Sequence, residues 1–144
     1  MIQRIQTIFL LLAAGAFGAL IPFPFATSAV DTQGIFQDGS YSILDNLFLQ
    51  LLTAAGILLV LLSIFMFKKR SAQLKLGYLV TVIGVLIIAV AILFFTNQAP
   101  TIAEAEINEG PGLVMPVLAI IFALLANYFI RKDEHLVKSM DRLR

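Results

Sequence analysis

The sequence contains no cysteine. That excludes disulfides, a thiolate nucleophile and any cysteine-ligated metal site. Charge is scarce as well: Asp, Glu, Lys and Arg make up 13% of the 144 residues, roughly half the share usual in soluble domains. Hydrophobic residues account for 60%, and the mean hydropathy is +0.95. So few charges cannot cover the surface of a water-soluble protein of this length, and the composition points to a lipid bilayer as the solvent. There is one histidine, His135, set beside Asp133 and Glu134. With no second histidine and no cysteine, neither a zinc-type ligand set nor a histidine-activated nucleophile of the usual kind is at hand. The long apolar runs hold no ionisable residue in their central portions, whereas proton relays and substrate counter-ions normally require one at depth. The composition therefore argues against an enzyme, and no cofactor is expected.

What the sequence does contain is a pattern. Four apolar runs, near residues 5–21, 46–67, 74–95 and 113–130, are each long enough to cross a hydrocarbon core of about 30 Å. All ten Lys and Arg residues lie on one side of the pattern they draw: Arg4 before the first run, Lys68, Lys69, Arg70 and Lys75 between the second and third, and Arg131, Lys132, Lys138, Arg142 and Arg144 after the fourth. The other two connectors carry Asp31, Asp38 and Asp45, and Glu104, Glu106 and Glu109, with no Lys or Arg. Ten cations against Asp133, Glu134 and Asp141 give +7 on one side, and six carboxylates give −6 on the other. Confinement of cations to alternate loops predicts a polytopic membrane protein with both termini cytoplasmic. It also removes the case for a nucleic-acid surface, which needs one clustered basic face.

The expected fold is all-α: a single domain, residues 1–144, forming an integral membrane four-helix bundle with a short amphipathic C-terminal helix. Pro22 and Pro24 should end the first helix, since proline lacks a backbone donor and restricts the residue before it. A cleavable signal peptide is the competing reading of this segment, with Arg4 as its basic region and Ala26-Thr27-Ser28 as a small-residue cleavage site. The connector over residues 26–45 is predicted to be an extracytoplasmic loop, with a short turn or strand pair around residues 35–43. Asp45 or Asn46 is placed to cap the second helix. The short basic link Lys68-Lys69-Arg70 makes spans two and three an antiparallel hairpin, and Pro111 and Pro116 suit the first turn of the fourth helix. In the tail, Leu136, Val137, Met140 and Leu143 share one helical face. That predicts an amphipathic helix continuing or branching from span four, resting on the inner membrane surface or on a partner.

Within the spans, Gln50 and Asn127 are predicted to make interhelical polar contacts, because neither amide can be satisfied easily by its own helix. Thr53, Ser63 and Thr81 can return a bond to their own backbone. Small residues at helical spacing mark expected contact faces: Ala14 and Gly18, Gly15 and Ala19, Gly77, Thr81 and Gly84, and Ala119, Ala123 and Ala126. The cluster Glu104, Glu106 and Glu109 reads as a solvated acidic loop rather than a cation cage.

Two segments carry a resemblance. The start, Met1-Ile2-Gln3-Arg4-Ile5-Gln6-Thr7, and the tail, Ile130-Arg131-Lys132-Asp133-Glu134-His135-Leu136-Val137-Lys138-Ser139-Met140-Asp141-Arg142-Leu143-Arg144, resemble a family of small uncharacterised four-span inner-membrane proteins of Bacteroidota-type bacteria. The resemblance implies a bacterial cytoplasmic-membrane location. It implies no activity and no catalytic, cofactor-binding or metal-binding residue.

The expected function is that of a non-catalytic accessory or structural subunit, or an assembly factor, of a larger membrane complex. Arg4, Lys68, Lys69, Arg70, Leu136, Met140 and Leu143 would form a cytoplasmic platform that contacts a partner subunit or anionic lipid. Two alternatives stand beside it. One is a small oligomeric transporter or channel lined by Gln50, Thr53 and Asn127. The other is a lipid- or quinone-binding module.

Overall fold

Pro22 and Pro24 end the first apolar run as helix α1, Ile2–Ala19, in a computed structural model that describes residues 2–28, 38–98 and 107–141. The chain leaves α1 through a tight turn, with Ile21 N–H donating to Gly18 O at 3.1 Å and Phe23 N–H to Ala19 O at 3.2 Å. It then extends into strand β1, Ala26–Ser28. Strand β2 is Ser40–Tyr41, and a 3-10 turn follows at Ile43–Asp45. That turn is held by a reciprocal cap: the Ser42 hydroxyl accepts from Leu44 N–H at 3.1 Å, and Asp45 accepts from Ser42 N–H at 2.6 Å. Asn46 caps helix α2, Leu47–Phe65, its side-chain oxygen accepting from Phe48 N–H at 2.8 Å and Leu49 N–H at 3.4 Å. Such caps satisfy donors that a helix start otherwise leaves unpaired.

Helix α3, Arg70–Gln98, begins after a turn of only a few residues. Strand β3, Ile107–Glu109, leads through the 3-10 turn Pro111–Leu113 into helix α4, Val114–Asp141. Each helix packs on the next, and α1 closes the ring against α4 in the most extensive of these contacts. The order is therefore up-down-up-down, with the starts of α1 and α3 and the ends of α2 and α4 gathered at one end. The buried stripe of α2 runs Leu49, Thr53, Gly56, Val60, Ser63 at the helical repeat. On α4 it runs through Ala119, Ala123 and Ala126, all fully buried. The predicted small-residue face of span four is thus the face that packs. Gly15 differs: it is exposed, and a Cβ placed there would meet nothing within 4 Å. Large apolar side chains cover the outside, among them Leu51, Leu58, Phe65, Val82, Leu93 and Leu124. Three helical segments, Leu47–Phe65, Arg70–Asn97 and Pro111–Val137, are long and apolar enough to cross a membrane. The apolar part of α1, Ile5–Ala19, is shorter.

A three-stranded antiparallel sheet of order β2-β1-β3 lies at the opposite end, pairing Ala26 with Tyr41 on one side and with Glu109 on the other. Of the turn or strand pair expected around residues 35–43, the described part forms strand β2, which pairs with β1, and residues 29–37 lie outside those described. Of the two courses expected for the tail, continuing span four or branching from it, the structure takes the first. The tail continues α4 without a break as far as Asp141. No Gly or Pro occurs after Pro116, so nothing in the local sequence ends the helix at the change from apolar to charged residues.

Candidate functional site

At the end where α1 begins and α4 finishes, three helices meet through polar side chains. Gln6 of α1 is 5% exposed, and its Nε2 donates to Phe129 O at 3.3 Å and to the Asp133 carboxylate at 3.5 Å. Arg70, the first residue of α3, reaches the same carboxylate through Nη2 at 3.0 Å and donates from Nη1 to Asp133 O at 3.0 Å. Phe9 stacks on Phe129 one turn deeper, with ring centroids 5.4 Å apart. Asp133 therefore ties α1 and α3 to α4. Arg131 lies over the Tyr78 ring, 5.3 Å from its centroid.

Beside this clasp, an open cleft of about 540 Å³ is lined by Gln6, Thr7 and Ile8 of α1, Ile64 and Phe65 of α2, Phe67 of the turn, and Gln73 of α3. Gln73 is 3% exposed. Lys68 and Lys69 are exposed, and the Lys68 ammonium stands 5.9 Å from the centre of the Phe67 ring.

The residues expected to form a platform are placed as follows. Lys68, Lys69 and Leu136 are exposed at this end. Arg70 is not available as the sequence predicts, because its guanidinium serves the internal bond to Asp133. The side chains of Arg4 and Met140, and the whole of Leu143, lie outside the described residues. Gln50 requires a correction. Its amide does not reach another helix but folds back one turn, Nε2 donating to Leu44 O at 2.7 Å. The 3-10 turn before α2 presents that carbonyl within reach, so a local partner wins. Asn127 is 3% exposed and packs so closely on Gly77 of α3 that any Cβ there would collide with its amide. Neither its Oδ1 nor its Nδ2 has a hydrogen-bond partner among the described residues. Thr81 returns its hydroxyl to Gly77 O at 3.1 Å, as expected. The Thr53 and Ser63 hydroxyls are buried without a partner among the described residues.

The other end holds a cavity of about 330 Å³ under the sheet, walled by Phe25, Tyr41, Ile88, Phe95, Ile107 and Pro116 among others, with Glu109 as its one charged lining residue among those described. Tyr41 is 2% exposed and donates its hydroxyl to Ala91 O at 3.1 Å. Burial, and then the nearby Asp45 carboxylate, push its pKa from 10.0 up to about 12. Sequence reading missed Gln6 and Gln73 as buried groups and Tyr41 as a structural anchor. The sequence signal for Tyr41 was available: an aromatic residue amid polar ones beside the capping box.

The described residues include no group of three or more His, Asp or Glu able to hold a metal ion. No curated protein and no solved structure matches the chain. A profile of one protein family does match, over residues 2–143, and the chain accordingly belongs to the family described as Domain of unknown function (DUF4293).

Proposed function

We propose that this protein is a non-catalytic accessory subunit or assembly factor of a larger complex in a bacterial cytoplasmic membrane, crossing it four times with both termini inside. The apolar exterior of the helices supports residence in lipid, and the distribution of Lys and Arg supports the orientation. The 15-residue apolar part of α1 spans only about 22 Å as a helix. The turn through Leu20 and Ile21 would extend its apolar reach toward the interface.

The observation that carries the reading is the outward surface of the α4 extension. Leu136 and Val137 are 46% and 43% exposed, in a stretch that also exposes Arg131, Lys132 and His135. An apolar pair among charges, on a rigid helix clamped at Asp133, is the composition of a docking surface rather than of a bare topology signal. The test replaces Leu136 and Val137 with Ser in the full chain, followed by mild-detergent purification and mass spectrometry. A partner present at fixed stoichiometry with the native chain and lost from the variant, while the variant still inserts, is the expected result. Recovery of the same proteins with both chains sinks the proposal.

A further inference from the structure

We propose that the cleft between α1 and α2, at the end where α1 begins, binds one anionic phospholipid, with its phosphate at Lys68 and the Gln73 amide and an acyl chain along Ile8 and Phe65. The inference rests on the membrane reading above and adds a ligand to it.

Gln73 is the first argument. The residue is only 3% exposed, yet it lines a cleft whose other walls are mainly apolar and aromatic. A buried amide needs polar partners, and the cost of leaving one without them is larger away from water. Gln6, its polar neighbour in the cleft, has its donors turned to Phe129 and Asp133. Gln73 brings two further donors, and the cleft is where a ligand oxygen would meet them.

Charge is the second argument. Phe67 lines the cleft, the Lys68 ammonium stands 5.9 Å from the centre of its ring, and exposed Lys69 is next in the chain. The carboxylate behind them, Asp133, is already matched by Arg70 at 3.0 Å. Among the described residues no carboxylate lines the cleft, and a phosphate complements the Lys68 and Lys69 ammonium groups. A neutral quinone would leave both ammonium groups without a counter-charge, and a zwitterionic headgroup would bring a cation of its own.

Shape is the third. Ile8 and Phe65 are 54% and 76% exposed, so the cleft opens directly onto the apolar exterior. Its volume of about 540 Å³ falls within the range of small-molecule sites. An occupant with a polar head and an aliphatic body fits both its rim and its walls; a free phosphate would use only the rim.

The full chain is reconstituted in vesicles of phosphatidylcholine alone or of phosphatidylcholine with phosphatidylglycerol, and retained lipid is counted by native mass spectrometry. The native chain is expected to keep one phosphatidylglycerol. Lys68→Gln should lower retention about five-fold, the effect of about one cation at a membrane surface. Gln73→Leu should lower it in the same direction, and Lys68→Arg should preserve it. Lys75→Gln removes an exposed cation of α3 outside the cleft and should leave retention unchanged. Equal loss in Lys75→Gln, or native retention in both Lys68→Gln and Gln73→Leu, overturns the site. Displacement of the lipid by inorganic phosphate alone overturns the acyl-chain assignment. Vesicle flotation separates the two levels. A native chain that does not float defeats the membrane reading and this proposal with it. Chains that all float, yet hold lipid regardless of substitution, defeat the lipid site alone.

Discussion

Arg70 and Asp133 are joined twice, through a guanidinium–carboxylate contact of 3.0 Å and a second guanidinium nitrogen on the Asp133 carbonyl at 3.0 Å. One residue begins α3 and the other lies in the last part of α4, so the pair locks two helix ends at a common level. Arg70→Lys should lose most of this lock, because one ammonium cannot reproduce two separately directed donors. The side chains are 25% and 13% exposed, and solvent screening holds the expected cost to about 1 kcal/mol. Asp133→Asn should cost less, since the carbonyl contact survives. Unfolding in detergent, followed by circular dichroism, ranks the variants. Equal stability of Arg70→Lys and the native chain would discount the lock.

Gly77→Ala should destabilise the bundle by about 1–3 kcal/mol through overpacking against the Asn127 amide. Asn127→Ala should rescue much of that loss, because it removes the atoms that collide. A double-mutant cycle should therefore return a coupling of about 0.5–3 kcal/mol. Strict additivity would show that the two residues are not in contact.

Tyr41 titrates later in the folded chain, near 12 in place of 10.0. A proton held more tightly by the folded state adds stability that is complete below the unfolded value and lost as pH climbs through the folded one. Native stability should therefore decline between about pH 10 and pH 12, and Tyr41→Phe should flatten that part of the profile. At neutral pH the same variant should be less stable by about 1 kcal/mol, the worth of the hydrogen bond to Ala91. Unfolding midpoints across an alkaline pH series test both halves.

The absence of cysteine makes site-directed labelling direct, since no native thiol competes. A single cysteine at Lys69 should react with a membrane-impermeant maleimide only after the membrane is opened, and one at Asp38 should react in intact spheroplasts. Labelling of both positions from the same side would refute the alternating topology.

How much was legible in the sequence differs by element. The helices follow from uninterrupted apolar runs bounded by residues with an unambiguous local effect: Pro22 and Pro24 after α1, Asn46 before α2, Pro111 before α4. The boundary at Arg70 was less legible, because an arginine can end one helix or open the next, and the salt bridge to Asp133 that places it depends on a residue 63 positions away. The sheet was hidden for a similar reason. Ala26–Ser28 is too short to show a strand period, and its partners lie at residues 40–41 and 107–109. Gln50 and Asn127 look alike in sequence, each an amide in an apolar run, yet one finds a carbonyl on its own chain and the other is enclosed against a glycine. Which outcome occurs is decided by backbone geometry that composition does not encode.

The central strand also sets an order on assembly. Ala26–Ser28 is made early, but its second neighbour, Ile107–Glu109, follows three of the four helices along the chain. During synthesis from the amino end, that strand must keep one edge unzipped until α3 has already emerged. A chain stalled before residue 107 displays this bare margin, and a finished one conceals it. The small sheet is therefore complete only once the chain has been made as far as Glu109.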